Sequence, residues 1–312
     1  MPELKKAVIP AAGLGTRQYP ASSGVRKEFF PLVDRDGRTK PVLQVVVEEA
    51  LAAGVDEVCI VCQPGAESDF RDYFYSIPDT LRPRFEGKGW ALQQSEHLRE
   101  LGRRLSYVEQ PEQEGLGHAV WCAREWADGD PVLVLLGDHV YVSTTDHRCA
   151  AQLADRFEGP SITALVPVGP EELSRFGVVG GALRCGDARM VEAECFLEKP
   201  EEQQAREHCR IEGLPEDTYL VHFGMHAFSP SIFEVLDQMV AEGRRENGEF
   251  QLTTAQNVLC RREEYRGLIM DGHHYDTGTP AGMLEAELAL ALSGEMAGEV
   301  REIWARAVQR HL

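Results

Sequence analysis

Short apolar runs alternate with polar, turn-rich segments along this chain, a rhythm that predicts strands separated by helices. Ala7-Val8-Ile9-Pro10 is a compact apolar run of the kind a buried strand needs. From Pro41, apolar residues recur at Val42, Val45, Val46 and Leu51 and stop at Gly54. That is helical spacing, with proline inside the start and glycine past the end. Residues 58–62 predict a second strand, so the first sixty residues read strand, loop, helix, strand. Such a βαβ unit calls for parallel strands and a right-handed crossover.

Helical spacing returns around 67–75 and 92–101, then a strand at 105–108 and a helix over 119–127. Pro131-Val132-Leu133-Val134-Leu135-Leu136 is the most apolar run and does not alternate, as expected of a central parallel strand covered on both faces. It stops at Gly137-Asp138-His139. Further on, 161–168 and 219–228 predict strands, 176–181 a strand and turn, 231–239 and 256–260 helices. Residues 275–280 predict a turn, and an Ala-, Leu- and Glu-rich helix follows to about 292. No repeat or low-complexity linker divides the chain. The pattern predicts one α/β domain over 1–295, with a mixed, mostly parallel central sheet flanked by helices, and a C-terminal helical extension over 296–312.

Composition narrows the functions open to such a fold. The 312 residues are 43% hydrophobic and 27% charged, ordinary for a globular protein, but the formal net charge is −19. That excess argues against a nucleic-acid or anionic-membrane surface. A polyphosphate ligand would require the few cations to be concentrated locally, or a metal. No apolar run approaches the ~18 residues of a membrane span, and the first six residues run into the first strand without an export-signal pattern. A cytoplasmic protein is expected, and its eight cysteines are expected to be thiols. Cys59 and Cys62 form C-x-x-C inside a strand, which sends them to opposite faces and predicts core residues.

Candidate chemistry gathers after the first strand. The loop Ala11-Ala12-Gly13-Leu14-Gly15-Thr16-Arg17 lets backbone N–H groups approach an anion, Arg17 adds a planar fork, and Lys27 a mobile charge. It matches neither G-x-G-x-x-G, because position 18 is Gln, nor the P-loop, and a plain strand-to-helix turn with solvated basic residues has the same form. Gln110 followed by Gly115 and Gly117 offers a donor and an acceptor for a base edge, or a glycine-rich helix start beside an incidental glutamine. His118 reads as a packing residue. Asp138, at the carboxyl end of a central strand, sits where open α/β sheets bind ligands and is the candidate metal ligand, or it caps the next turn. His139 is left aside because Mg²⁺ prefers oxygen.

Taken together, GLGTR with KEFFPL, then QPEQEGLGHAV, LGDHV, FGVV, FLEKP, GEFQLT and YDTG, resemble the ordered motifs of sugar-phosphate nucleotidyltransferases, most closely the bacterial UTP–glucose-1-phosphate uridylyltransferases. The resemblance implies a Rossmann-like nucleotidyltransferase domain. It implies that Ala11, Ala12, Gly13, Gly15, Gln110 and Gly115 bind the nucleotide, and that Arg17, Lys27 and Lys199 hold phosphates. Gly177 and Glu198 would contact the sugar, and Asp138 with Asp276 would hold Mg²⁺. UTP and a sugar 1-phosphate would be the partners of a homo-oligomer.

Four places depart from the family pattern. Arg26 replaces a usual proline before the key lysine and is expected to add a phosphate contact. Residues 21–25 are unusual, Gly137 replaces a frequent proline, and Gly224-Met225-His226 stands where a basic residue and tyrosine are common, which bears on sugar identity. Another base or sugar, such as dTTP or galactose 1-phosphate, and a catalytically weak nucleotide-sugar-binding regulator are the competing expectations.

Overall fold

A computed structural model describes residues 3–75, 77 and 80–311. Its centre is a ten-stranded sheet. From one edge the order is Leu105–Glu109, Glu57–Cys62, Lys6–Pro10, Val132–Leu135, Tyr219–Phe228, Ser161–Val168, Tyr265–Ile269, Asp187–Glu198, Gly177–Arg184 and Ile211–Glu212. The first four are parallel to one another, as the βαβ reading requires. The sheet is mixed and mostly parallel, as expected: among the described strands of this sheet only Tyr219–Phe228 and the long Asp187–Glu198 strand run against the rest, each antiparallel to both neighbours in the order.

Alternation along the strands divides the core into two layers. Ala7, Ile9, Ile60, Leu133 and Leu135 face helices Val42–Ala52, Glu67–Tyr73, Cys149–Ala154 and Pro280–Leu292. Val8, Val61, Val132 and Val134 face helices Leu116–Cys122, Ser231–Ala241 and Leu252–Leu259. Cys59 and Cys62 lie in opposite layers, both buried, and burial pushes their thiols up to about 12 and about 11.

Some expectations change. The helix expected over 119–127 is two, Leu116–Cys122 and Arg124–Ala127. Gly180 and Gly181 are not a turn but remain inside the Gly177–Arg184 strand, which pairs irregularly opposite Ala193 and Cys195. Gly180 has no room for a side chain, because a Cβ would lie 2.4 Å from the His208 carbonyl oxygen. Tyr275 and Asp276 end a strand, Gly272–Asp276, that pairs with His139–Ser143 in a small separate sheet. The helix Ala297–His311 follows Pro280–Leu292, and its start is tied back where the Glu295 N–H donates to the Arg35 carbonyl at 2.7 Å. Among the described residues no helix is long and apolar enough to cross a membrane.

Candidate active site

The four parallel strands all end on one edge, and the loop after the first of them begins the site. Ala11 N–H still pairs with the Val61 carbonyl at 2.7 Å, but the N–H groups of Gly13, Leu14, Gly15 and Thr16 have no acceptor among the described residues. Consecutive unspent N–H groups form an anion-binding nest. Gly15 takes the left-handed conformation, φ 64°, that turns the loop. A Cβ on Gly13 would sit 3.0 Å from Lys27 Nζ, so the missing side chain is what lets the ammonium lie against the nest.

This loop borders a cavity of about 400 Å³ that also holds Lys27, Gln110, Gly115, Asp138 and Glu249. Gln110 is buried, and its Nε2 donates to the Gly115 carbonyl at 3.2 Å, while His118 Nδ1 donates to the Glu112 carbonyl at 3.0 Å. One Gln110 donor is therefore spent inside the protein, and its oxygen is free of protein partners among the described residues. Gly115 has φ 106° and lies so close to the segment after Gly248 that a Cβ would come 2.8 Å from Glu249 Cβ. Reciprocal bonds, Gly117 N–H to the Phe250 carbonyl at 2.8 Å and Phe250 N–H to the Glu114 carbonyl at 2.7 Å, hold the two segments together.

Two carboxylates from distant parts of the chain meet beside this cavity: Asp138 lines it, and Asp276 lines another. Asp138 follows the Val132–Leu135 strand, and its Oδ2 accepts from Lys27 Nζ at 2.7 Å. Asp276 is opposite His139 in the small sheet and accepts from Arg17 Nη1 and Nη2, at 2.7 and 3.3 Å. Thr277 N–H and Oγ1 each donate to the Asp138 carbonyl at 2.8 Å, and Gln18 Nε2 donates to the Thr277 carbonyl at 2.8 Å. These bonds stitch the first loop, Asp138 and the 276–279 turn into one unit.

Burial alone would raise the Asp138 carboxyl, but the His139 hydrogen bond and the Lys27 charge outweigh it and hold the group well below the usual carboxylate range. Burial would lower the Lys27 ammonium, and the Asp138 and Glu28 carboxylates hold it above its ordinary value instead. Both partners are therefore charged at neutral pH. Glu28 itself is 2% exposed, its Oε1 has no hydrogen-bond partner among the described residues, and burial pushes its carboxyl up to about 7.

Ligand atoms of Asp138, His139 and Asp276 lie within 4.8 Å of one another, a set able to hold a metal ion. Two carboxylates beside a nest of free N–H groups fit a hard divalent cation, which takes one or two carboxylates and fills its remaining positions with water or phosphate oxygen. His139, set aside on sequence, lies in this set, with Nδ1 3.2 Å from Asp138 Oδ1.

The remaining expected residues form a second group. Gly177 and Glu198 are opposite each other on neighbouring strands. Thr253 Oγ1 donates to Glu198 Oε2 at 2.7 Å, and Lys199 Nζ lies 3.4 Å from Glu198 Oε1. Lys199 takes a left-handed backbone, φ 44°, while its N–H donates to the Phe176 carbonyl at 3.1 Å. Among the described residues no hydrogen bond or ion pair joins Gly177, Glu198 or Lys199 to Lys27 or Asp138.

The departures resolve differently. Arg26 points away from the nest: its Nε donates to Asp69 at 3.0 Å and its Nη1 to Gln63 Oε1 at 3.1 Å. Met225 and His226 are buried in the core, where His226 contacts Thr163 and Gln256, so neither lines the cleft. Gly137 is sterically required here, since a Cβ would lie 2.5 Å from the Pro10 carbonyl oxygen. Sequence reasoning missed Gln63, Thr253 and Glu249. The last two lie in the quoted GEFQLT motif, and Gln63 stands at the end of a parallel strand beside the first, a position that itself signals a site.

The chain belongs to the nucleotidyl transferase family, which matches residues 6–292. It is 32% identical over 292 residues to UTP–glucose-1-phosphate uridylyltransferase YngB of Bacillus subtilis (strain 168), covering 93% of this chain and 90% of that one. A second UTP–glucose-1-phosphate uridylyltransferase of the same strain is 33% identical over 296 residues, covering 94% and 92%. Among solved structures, an apo UDP-glucose pyrophosphorylase superposes with TM-score 0.76 at 29% identity, covering 92% of this chain and 97% of the other.

Proposed function

We propose that this chain transfers the uridylyl group of UTP to glucose 1-phosphate, giving UDP-glucose and pyrophosphate. The observation that carries the reading is the pair of carboxylates, Asp138 and Asp276, whose ligand atoms lie within 4.8 Å of each other and which are each gripped by a cation, Lys27 and Arg17. In this reading Ala11, Ala12, Gly13, Gly15, Gln110 and Gly115 surround the nucleotide, Arg17 and Lys27 hold the triphosphate, and Lys199 the phosphate shared with the sugar. Gly177 and Glu198 contact the sugar. Asp138 and Asp276 hold Mg²⁺, which when bound neutralises phosphate charge. A reaction that consumes UTP belongs in the cytoplasm, where the triphosphate is made.

The attacking group is a phosphate monoester whose second pKa is about 6, so it is already ionised at neutral pH and needs no general base. Its oxygen forms a bond to the α-phosphorus of UTP, and the bond to the bridging oxygen opposite breaks as pyrophosphate leaves. No covalent enzyme intermediate intervenes. Catalysis then consists of in-line positioning and charge stabilisation, which the nest, Arg17 and the lysines supply.

The test is pyrophosphate release with Mg²⁺, screening UTP, dTTP, CTP, ATP and GTP against a panel of sugar 1-phosphates. Release confined to UTP with glucose 1-phosphate, and abolished in Asp138→Ala, supports the reading. Release with another pair moves the specificity, and no release from any pair overturns the enzyme.

A further inference from the structure

Gln63 stands just past the Glu57–Cys62 strand, under the nucleotide loop. Its Nε2 donates to two consecutive loop carbonyls, Ala12 at 3.1 Å and Gly13 at 3.2 Å. Its Oε1 accepts from Arg26 Nη1 at 3.1 Å, and Arg26 Nε is anchored on Asp69 Oδ2 at 3.0 Å. The amide orientation is unambiguous. A guanidinium can only donate and a carbonyl can only accept, so Oε1 must face Arg26 and Nε2 the loop.

We propose that Arg26 and Gln63 form a positioning clamp that sets the peptide planes of the nucleotide loop. In a trans peptide the C=O of one residue and the N–H of the next point in opposite directions. Holding the Ala12 and Gly13 carbonyls against Gln63 turns the Gly13 and Leu14 N–H groups to the far side of the loop. Those two N–H groups belong to the nest that has no acceptor among the described residues. Gly13 and Leu14 line the cavity, whereas Gln63 does not. The clamp also reaches Lys27, the next residue after Arg26, whose ammonium lies against Gly13. One side-chain relay thus fixes both the neutral and the cationic donors offered to a nucleoside polyphosphate. Only a side chain that accepts at one end and donates at the other can link a guanidinium to two carbonyls.

The proposal rests on the nucleotidyltransferase reading for the nature of the ligand, and calorimetry separates the two. UTP binding to the full chain is measured directly, beside steady-state KM for UTP and for glucose 1-phosphate, in Gln63→Ala, Gln63→Glu, Arg26→Ala and the Arg26→Ala/Gln63→Ala double variant. Each single change is expected to raise the UTP Kd and KM about 10-fold while the sugar phosphate KM stays within about 2-fold. Gln63→Glu is the decisive variant. It keeps a partner for Arg26 but has no donor for the carbonyls, so it should bind UTP at least as poorly as Gln63→Ala. The double variant should match Gln63→Ala alone, because the two residues act in series. Wild-type UTP binding in Gln63→Glu, or equal shifts of both KM values together with a lowered melting temperature, overturns the clamp. If wild-type protein binds UTP but releases no pyrophosphate, the enzymatic reading fails while the binding series still decides the clamp.

Discussion

Lys27 Nζ and Asp138 Oδ2 are 2.7 Å apart in a setting where each side chain is less than a fifth exposed. Removing one member of a buried pair leaves the other uncompensated, at a cost of about 3–5 kcal/mol. Lys27→Met should therefore destabilise the metal-free protein by roughly that amount, and adding Asp138→Asn should restore most of it. Urea unfolding in EDTA checks both variants. Equal stability of Lys27→Met and wild type would show that the pair is not formed.

Arg17 and Asp276 make the contrasting pair, since the Arg17 side chain is 57% exposed. A solvent-screened pair contributes about 0–1 kcal/mol, so Arg17→Ala should melt near wild type. Its kcat/KM for the nucleotide should nevertheless fall roughly 100-fold, the scale of losing one charge that stabilises a transition state. Kinetics and a thermal melt on the same preparation separate the two effects.

Gly115→Ala combines a left-handed backbone with a Cβ 2.8 Å from Glu249 Cβ and 2.9 Å from the Phe250 carbonyl oxygen. The loop and the Glu249-Phe250 segment must part, which should raise the nucleotide KM at least 10-fold and destabilise the fold by about 1–3 kcal/mol. Gly54→Ala offers a control: its φ is also positive, at 87°, but nothing lies within 4 Å of its Cβ. It should carry a backbone cost without the kinetic one.

Glu28 gives a pH dependence with a defined sign. Its folded carboxyl is raised from 4.5 to about 7 by burial, with Lys27, Arg26 and Asp138 the charges around it. Between those values the folded state binds more protons than the unfolded one, so this group makes stability fall as pH rises from about 4.5 to about 7. Glu28→Gln should remove that slope and be more stable than wild type at pH 8, on the order of 3 kcal/mol. Chemical denaturation across pH 4.5–8 in metal-free buffer measures it, and parallel profiles would refute the assignment.

The strands and helices carrying strong periodicity were legible, down to both ends of Ser161–Val168 and Tyr219–Phe228. The first loop and Asp138 stood out because each follows the abrupt end of an apolar run, whereas Asp276 was expected only from the family resemblance, and nothing in the local sequence showed that it meets Arg17. The far side of the sheet, around Asp187–Glu198 and Tyr265–Ile269, was not legible. Asp187–Glu198 mixes charged and apolar residues without clean alternation, and Tyr265–Ile269 is a five-residue run whose partners lie far off in sequence. The small sheet pairs His139–Ser143 with Gly272–Asp276 across more than a hundred residues, which no local pattern encodes. The Arg26–Gln63 relay was hidden for the same reason: sequence shows a guanidinium near a phosphate loop but not the amide that intercepts it.

The turn at 276–279 closes on the loop at 11–18, through Arg17 to Asp276 and Gln18 to Thr277. Arg17 and Asp276 are made 259 residues apart on the ribosome. The nest and Asp138 can take shape on a partly synthesised chain, but the second carboxylate arrives only when nearly all of the sheet exists. The pair is thus withheld until the ten-stranded sheet has been made, and a chain cut short before Asp276 would leave Arg17 and Asp138 without that partner.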